Sequence, residues 1–327
     1  MISRRLLRIK VLQILYAYFI AGKESLPAPE KTLRNSIEYT YDLYNYLIFL
    51  ILEIYSYAAE RIEMAKQKQL PSYEDLNPNT KFINNIIIRQ LSENNQLNEE
   101  IKRSGLSWKN KPELIKNIYQ QIIDSNTYKE YMGNKDHNKN KTAGQGGNNY
   151  NEDKKLIINI YKNNISTSEL LFQTLEEENI FWNDDIEFVI SMIIKTVKNF
   201  TENSNENTQL LPLYKNEEDR KFAGRLLSCT INNSDEYKDM IERFSKNWDI
   251  ERVVFMDIVI MQILLSEILE FPDIPVKVSM NEYLEISKYY STKKSFFFIN
   301  GVTENIITLL KKTNRIKKSE RGMQGGL

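Results

Sequence analysis

Cysteine and histidine are almost missing from this chain of 327 residues, which has one of each, Cys229 and His137. A lone thiol can form neither an intramolecular disulfide nor a multi-cysteine zinc site, and that suits a reducing compartment. Cys229 sits among Leu226, Leu227 and Ile231 and reads as a buried, inert thiol. His137 lies in a polar stretch without the positioned neighbours that metal ligation or general acid–base chemistry needs. Glycine (11) and proline (8) are scarce, which disfavours a turn-rich all-β fold. No sign of charge dominates: 44 Lys and Arg face 44 Asp and Glu, so a uniformly basic coat is excluded while a local basic patch is not. Long apolar runs are missing too. The N-terminal arginines precede an apolar run broken by Lys10 and Gln13, and no small-residue cleavage site follows, so no export leader is expected. Leu43 to Ala59 contains Asn45 and Glu53 and is shorter than a membrane span; it reads as a buried helix.

Signatures of catalysis are also missing. There is no glycine-rich phosphate loop, nucleophile elbow or metal-binding histidine pair. Asp184-Asp185-Ile186-Glu187 lacks the aspartate-x-x-aspartate spacing of the all-helical prenyl-transferring enzymes. It reads as the acidic first turn of a helix after Asn183. The expectation is therefore a protein that is not an enzyme, with no catalytic residue, metal or cofactor.

What is present is helical periodicity and 41% hydrophobic residues, enough for a real core. The expected fold is all-α. Helices are predicted at 3–20, 32–69, 80–97, 111–132, 152–162, 167–178, 184–200, 216–231, 234–246, 249–270, 276–290 and 295–312. Ser25 to Glu30, with Pro27 and Pro29, reads as a loop, and so does Thr201 to Gln209. Ser234 and Asp249 are placed as helix caps. Gly133 to Asn151 has almost no apolar residue and reads as a disordered linker or surface loop. The predicted domains are an N-terminal helical region at 1–132, a linker at 133–151, additional helices at 152–215, a C-terminal bundle at 216–312 and a flexible basic tail at 313–327. The tail reads as solubilising, with phosphate contact the alternative.

The first helix is the place to look for binding. Arg4 and Arg8 share one face on a 3.6-residue period, with Arg5 about 100° round. From Val11 the helix is apolar on nearly all sides, so its C-terminal part plugs into a core. Clustered guanidinium groups suit phosphate recognition, because each is permanently charged and donates two parallel hydrogen bonds. An ordinary solvated helix end is the other reading.

Three stretches carry a family resemblance. The first is Arg4-Arg5-Leu6-Leu7-Arg8 followed by Gln13-Ile14-Leu15-Tyr16. The second is Glu218-Asp219-Arg220-Lys221-Phe222-Ala223 before Leu226-Leu227. The third opens at Trp248-Asp249-Ile250 and runs through Asp273-Ile274-Pro275-Val276-Lys277-Val278, Asn281-Glu282, Lys288 and Ser295 to Phe298-Ile299-Asn300-Gly301. Together they resemble the NusB family of bacterial transcription antitermination factors, across residues 3–20 and roughly 216–310. The resemblance implies an all-helical bundle of two packed subdomains, here with inserted helices. It implies binding of boxA, a short single-stranded RNA element, together with the ribosomal protein NusE, and loading onto elongating RNA polymerase in the cytoplasm, with no membrane. Read-through and ribosomal RNA transcription would follow. It makes Arg4, Arg5 and Arg8 phosphate contacts, with Gln13, Tyr16, Lys221, Phe222 and Arg225 as further RNA candidates. Gln13, Tyr16 and Phe222 have packing as their alternative. Asn281 is expected to bond backbone between helices, and Asn300 and Gly301 to serve close packing. Lys294, Ser295 and Phe298 fall where NusE would dock.

Two departures fall in that docking region. Phe296-Phe297 stands where the family often has a small or polar pair, and Lys294 where many members are acidic. The phenylalanines could pack against the inserted helices or form a partner surface. A NusB-like domain also occurs fused to RNA cytosine methyltransferases, but no α/β cofactor domain is present here. The rival reading is a helical adaptor that keeps the scaffold and binds proteins without RNA.

Overall fold

The computed structural model describes residues 1–22, 29–133, 149–245 and 254–323, and among these it contains helices and turns but no strand. Thus His137, Trp248, Asp249, Ile250 and the loop residues 25–28 lie outside the described residues. Helix α1 spans Arg4–Ala21, with the Ser3 hydroxyl accepting from the Leu6 amide as its cap. Helix α2 spans Pro29–Lys66. Pro29 and Glu30 are therefore helical and not loop, because a fixed φ and a missing amide proton cost nothing in a first turn.

The chain divides into two compact units. One comprises Met1–Ile37 and Tyr214–Leu327, the other Glu38–Leu213. These boundaries replace the sequence division at 132, 152 and 216: the N-terminal helix belongs with the C-terminal bundle.

In the unit 38–213, α2 is followed by α3 (Tyr73–Leu76), α4 (Ile86–Ser92), α5 (Asn95–Ser104), α6 (Pro112–Asp124), α7 (Asn126–Gly133), α8 (Tyr150–Asn163), α9 (Glu169–Glu178) and α10 (Ile186–Asn199). The single helix expected over 80–97 is broken. The Asn85 side chain accepts from the Ile87 and Ile88 amides, and that of Asn94 from Leu97, so each asparagine starts a new helix. Ser125 splits 111–132 in the same way, its hydroxyl accepting from the Tyr128 amide. Gly133 ends α7 and Tyr150 opens α8, so both ends of the expected linker are helical. Buried Asp153 ties three elements together, accepting from the Ile86 amide (2.8 Å) and the Tyr131 hydroxyl (2.6 Å). The α2 backbone is held as well: Trp182 donates to Tyr39, and Trp108 to Tyr46, on whose ring it stacks at 3.8 Å.

The other unit holds α1, the start of α2, and α11 (Glu217–Asn232), α12 (Ser234–Ser245), α13 (Phe255–Glu270), α14 (Val276–Tyr290), α15 (Ser295–Lys312) and α16 (Glu320–Met323). Helix α13 is buried on nearly every side from Val259 to Ile268 and is the centre of this unit. Around it lie α1, α11, α12, α14 and α15. Cys229 is half-buried, and burial pushes its thiol up. Residues 313–323 do not form a loose tail. Lys318 is buried and donates to the Phe271 carbonyl (2.9 Å), and the Ser319 amide donates to that of Pro272 (3.1 Å).

Candidate nucleic-acid interface

Helix α1 delivers its arginines to one place, and each meets carboxylates distant in sequence. Arg4 donates from Nε to Asp219 and from Nη2 to Glu218, both at 2.7 Å. These acids occupy the first turn of α11, whose amides they favour by charge and which Asn216 caps. Arg5 binds Glu282 of α14 with two parallel bonds, 2.9 and 2.8 Å. Arg8 is 3% exposed and grips Glu267 of α13 with two bonds of 2.7 Å. Glu267 is 0% exposed and also accepts from the Ser279 hydroxyl (2.7 Å) and the Tyr283 hydroxyl (2.9 Å). All four of its acceptor positions are thereby used.

The charge states follow from these partners. Burial pulls the Arg8 guanidinium down, but the bonds and charge of Glu267 outweigh it and the net shift is upward. Arg4 behaves the same way with Asp219 and Glu218. The Arg5 hydrogen bonds hold the Glu282 carboxyl below its ordinary value.

Phe222 is buried beside two of these cations, with the Arg4 and Arg8 guanidinium carbons 5.3 and 5.4 Å from its ring centre. It also meets Phe271 edge-on. Its place is packing and cation–π support, not a base-stacking surface. Lys221 and Arg225 are exposed on α11, and Arg225 lies over the Phe271 ring at 4.8 Å. Gln13 and Tyr16 are half-buried farther along α1, with Tyr16 against Phe255 at 5.7 Å, so the structure does not bring them to the arginines.

In front of the arginines is an open cleft of about 810 Å³. Its charged walls are Arg4, Arg5, Arg8 and Arg321 against Asp273 and Glu282; Ile274, Pro275 and Val278 supply an apolar side. Arg321 lies in the segment whose sequence reads as a solubilising tail, with phosphate contact only as the alternative. The carboxylate partners were visible as residues, but their pairing spans more than 200 positions.

At the other candidate surface, Ser295 and Phe298 are buried, 2% and 7% exposed. Ser295 bonds the Ser291 and Thr292 hydroxyls, both at 2.9 Å, and so fixes the corner between α14 and α15. Direct partner contact is thus excluded for these two side chains. Lys294 is exposed, as is Phe297 at 69%, and Phe296 is half-buried with the Lys288 ammonium 5.1 Å from its ring centre. The phenylalanine run therefore divides between core and surface. Asn281 is exposed and, among the described residues, bonds no other helix, which corrects its expected structural role. Asn300 donates to Glu304 at 3.1 Å, and Gly301 is half-buried.

Among the described residues no group of three or more His, Cys, Asp or Glu could hold a metal ion, and no helix is long and apolar enough to cross a membrane.

Fold and cleft together define an all-helical protein that presents arginines at one open site. The NusB family model matches residues 166–308. A transcription antitermination protein NusB of Salinibacter ruber is 36% identical over 115 residues, covering 35% of this chain and 72% of the relative. The NusB proteins of Natranaerobius thermophilus and Thermodesulfovibrio yellowstonii are 38% and 40% identical over 92 and 91 residues. Those matches cover 28% of this chain each, and 66% and 60% of the relatives. No solved structure matches the chain. The chain belongs to the NusB family.

Proposed function

We propose that this protein is a transcription antitermination factor that binds boxA-like single-stranded RNA with NusE and loads onto elongating RNA polymerase in the cytoplasm, favouring read-through and ribosomal RNA synthesis. The observation that supports it is the convergence of Arg4, Arg5 and Arg8 on one open cleft, in a chain whose relatives are named transcription antitermination proteins. The arginines divide the work. Arg4 and Arg5 keep 26% and 49% of their side-chain surface exposed and have donors to spare, so they contact phosphates. Arg8 is a positioning residue that locks α1 onto α13. Lys221 and Arg225 extend the basic surface along α11. NusE docks at the start of α15, through Lys294, Phe297 and the neighbouring Lys293. The action is assembly, without a chemical step.

A helical adaptor without RNA is the second reading, favoured by the carboxylate already paired with each α1 arginine. Fluorescence anisotropy with a short labelled boxA-type RNA, with and without NusE, separates the two. Each phosphate contact on a single strand contributes a slope of about −0.7 in log affinity against log salt. Arg4→Ala/Arg5→Ala, with Arg8 kept, should weaken binding tenfold or more and flatten the slope by about 1.4. No salt-sensitive binding by the folded wild type, even with NusE, would leave the adaptor.

A further inference from the structure

We infer that the segment 316–323 docks beside the arginine cleft and delivers Arg321 to it as an additional phosphate-binding residue. This rests on the RNA-binding reading above and extends it to the C-terminal segment, which, like α1, lies outside the family match over residues 166–308.

The segment is built in, not draped. Lys318 is buried and donates to the Phe271 carbonyl. The Ser319 amide donates to the Pro272 carbonyl, and its hydroxyl to Asp273 at 2.6 Å. These contacts fall on the turn between α13 and α14, and Asp273, Ile274 and Pro275 of that turn line the cleft. Gly322 shows how close the approach is: a Cβ there would stand 2.0 Å from the Pro272 carbonyl oxygen. Backbone cannot yield as a flexible side chain can, so only glycine fits. A merely solubilising tail has no reason to bear the entropy of such ordering.

The docked segment turns Arg321 into the cleft. Among the arginines there it is the least committed. Its ion pair, with Glu218, spans 3.7 Å, and its side chain is 66% exposed. Glu218 is shared with Arg4, whose bond to it is 2.7 Å. An arriving phosphate can therefore engage Arg321 without breaking a close hydrogen bond, whereas it must share Arg4 and Arg5 with their carboxylates.

The test uses the full chain, a short labelled boxA-type RNA, and a salt titration of wild type, Arg321→Ala and Gly322→Ala, each checked for its helix content. Arg321→Ala should bind about threefold to tenfold more weakly and flatten the salt slope by roughly 0.7, the value of one contact. Gly322→Ala should do the same although the arginine is still present, because the segment no longer docks. A merely structural Arg321 would leave the slope unchanged. Wild-type binding with an unaltered slope in Arg321→Ala overturns the role of Arg321 alone. A normal Gly322→Ala beside a weakened Arg321→Ala overturns delivery by docking. A folded wild type that binds no RNA overturns both this inference and the reading beneath it.

Discussion

Arg8 and Glu267 show how one residue can be read correctly for position and differently for role. The helical period puts Arg8 on the face of Arg4, and both reach the same cleft. Its burial was not legible, because the partner lies 259 positions away. A signal was nevertheless there: Glu267 interrupts a long apolar helix, and a carboxylate in a core must find a cation and donors. Removing one partner of a buried pair leaves an uncompensated charge. We expect Arg8→Met to cost roughly 3–5 kcal/mol in urea unfolding, with Ser279 and Tyr283 still bound to Glu267. Arg5→Ala, at a half-exposed pair, should cost under about 1 kcal/mol.

At the scale of elements, Arg5 and Glu282 join α1 to α14, and the join has a pH signature. The Glu282 carboxyl titrates below its ordinary value when folded, first because of the Arg5 hydrogen bonds. A depressed acid contributes stability that is complete above its unfolded value, about 4.3, and lost as pH falls through the folded value. The wild type should therefore exceed Glu282→Gln in stability at about pH 6, and the gap should close towards about pH 3. A gap independent of pH in urea titrations would refute this. Most helices were legible from periodicity and from caps such as Asn216. The breaks at Asn85, Asn94 and Ser125 were not, because apolar spacing continues across them. The decision there belongs to side chains that capture the amides ahead of them.

On the scale of the whole molecule, each unit has its own core, and every residue of the arginine cleft belongs to the unit of 1–37 and 214–327. A ligand stabilises the folded unit that binds it, by about 2.7 kcal/mol at a hundredfold excess over Kd. Scanning calorimetry should show two components, with boxA-type RNA raising the midpoint of one and leaving the other in place. A uniform shift of a single transition would contradict this. The division also has an optical consequence. Trp108, stacked on Tyr46, and Trp182 both lie in the unit 38–213. Of the three tryptophans only Trp248 is elsewhere in the chain. Emission from these two buried indoles is thus a built-in lamp for the unit 38–213: its reddening reports the melting of that unit.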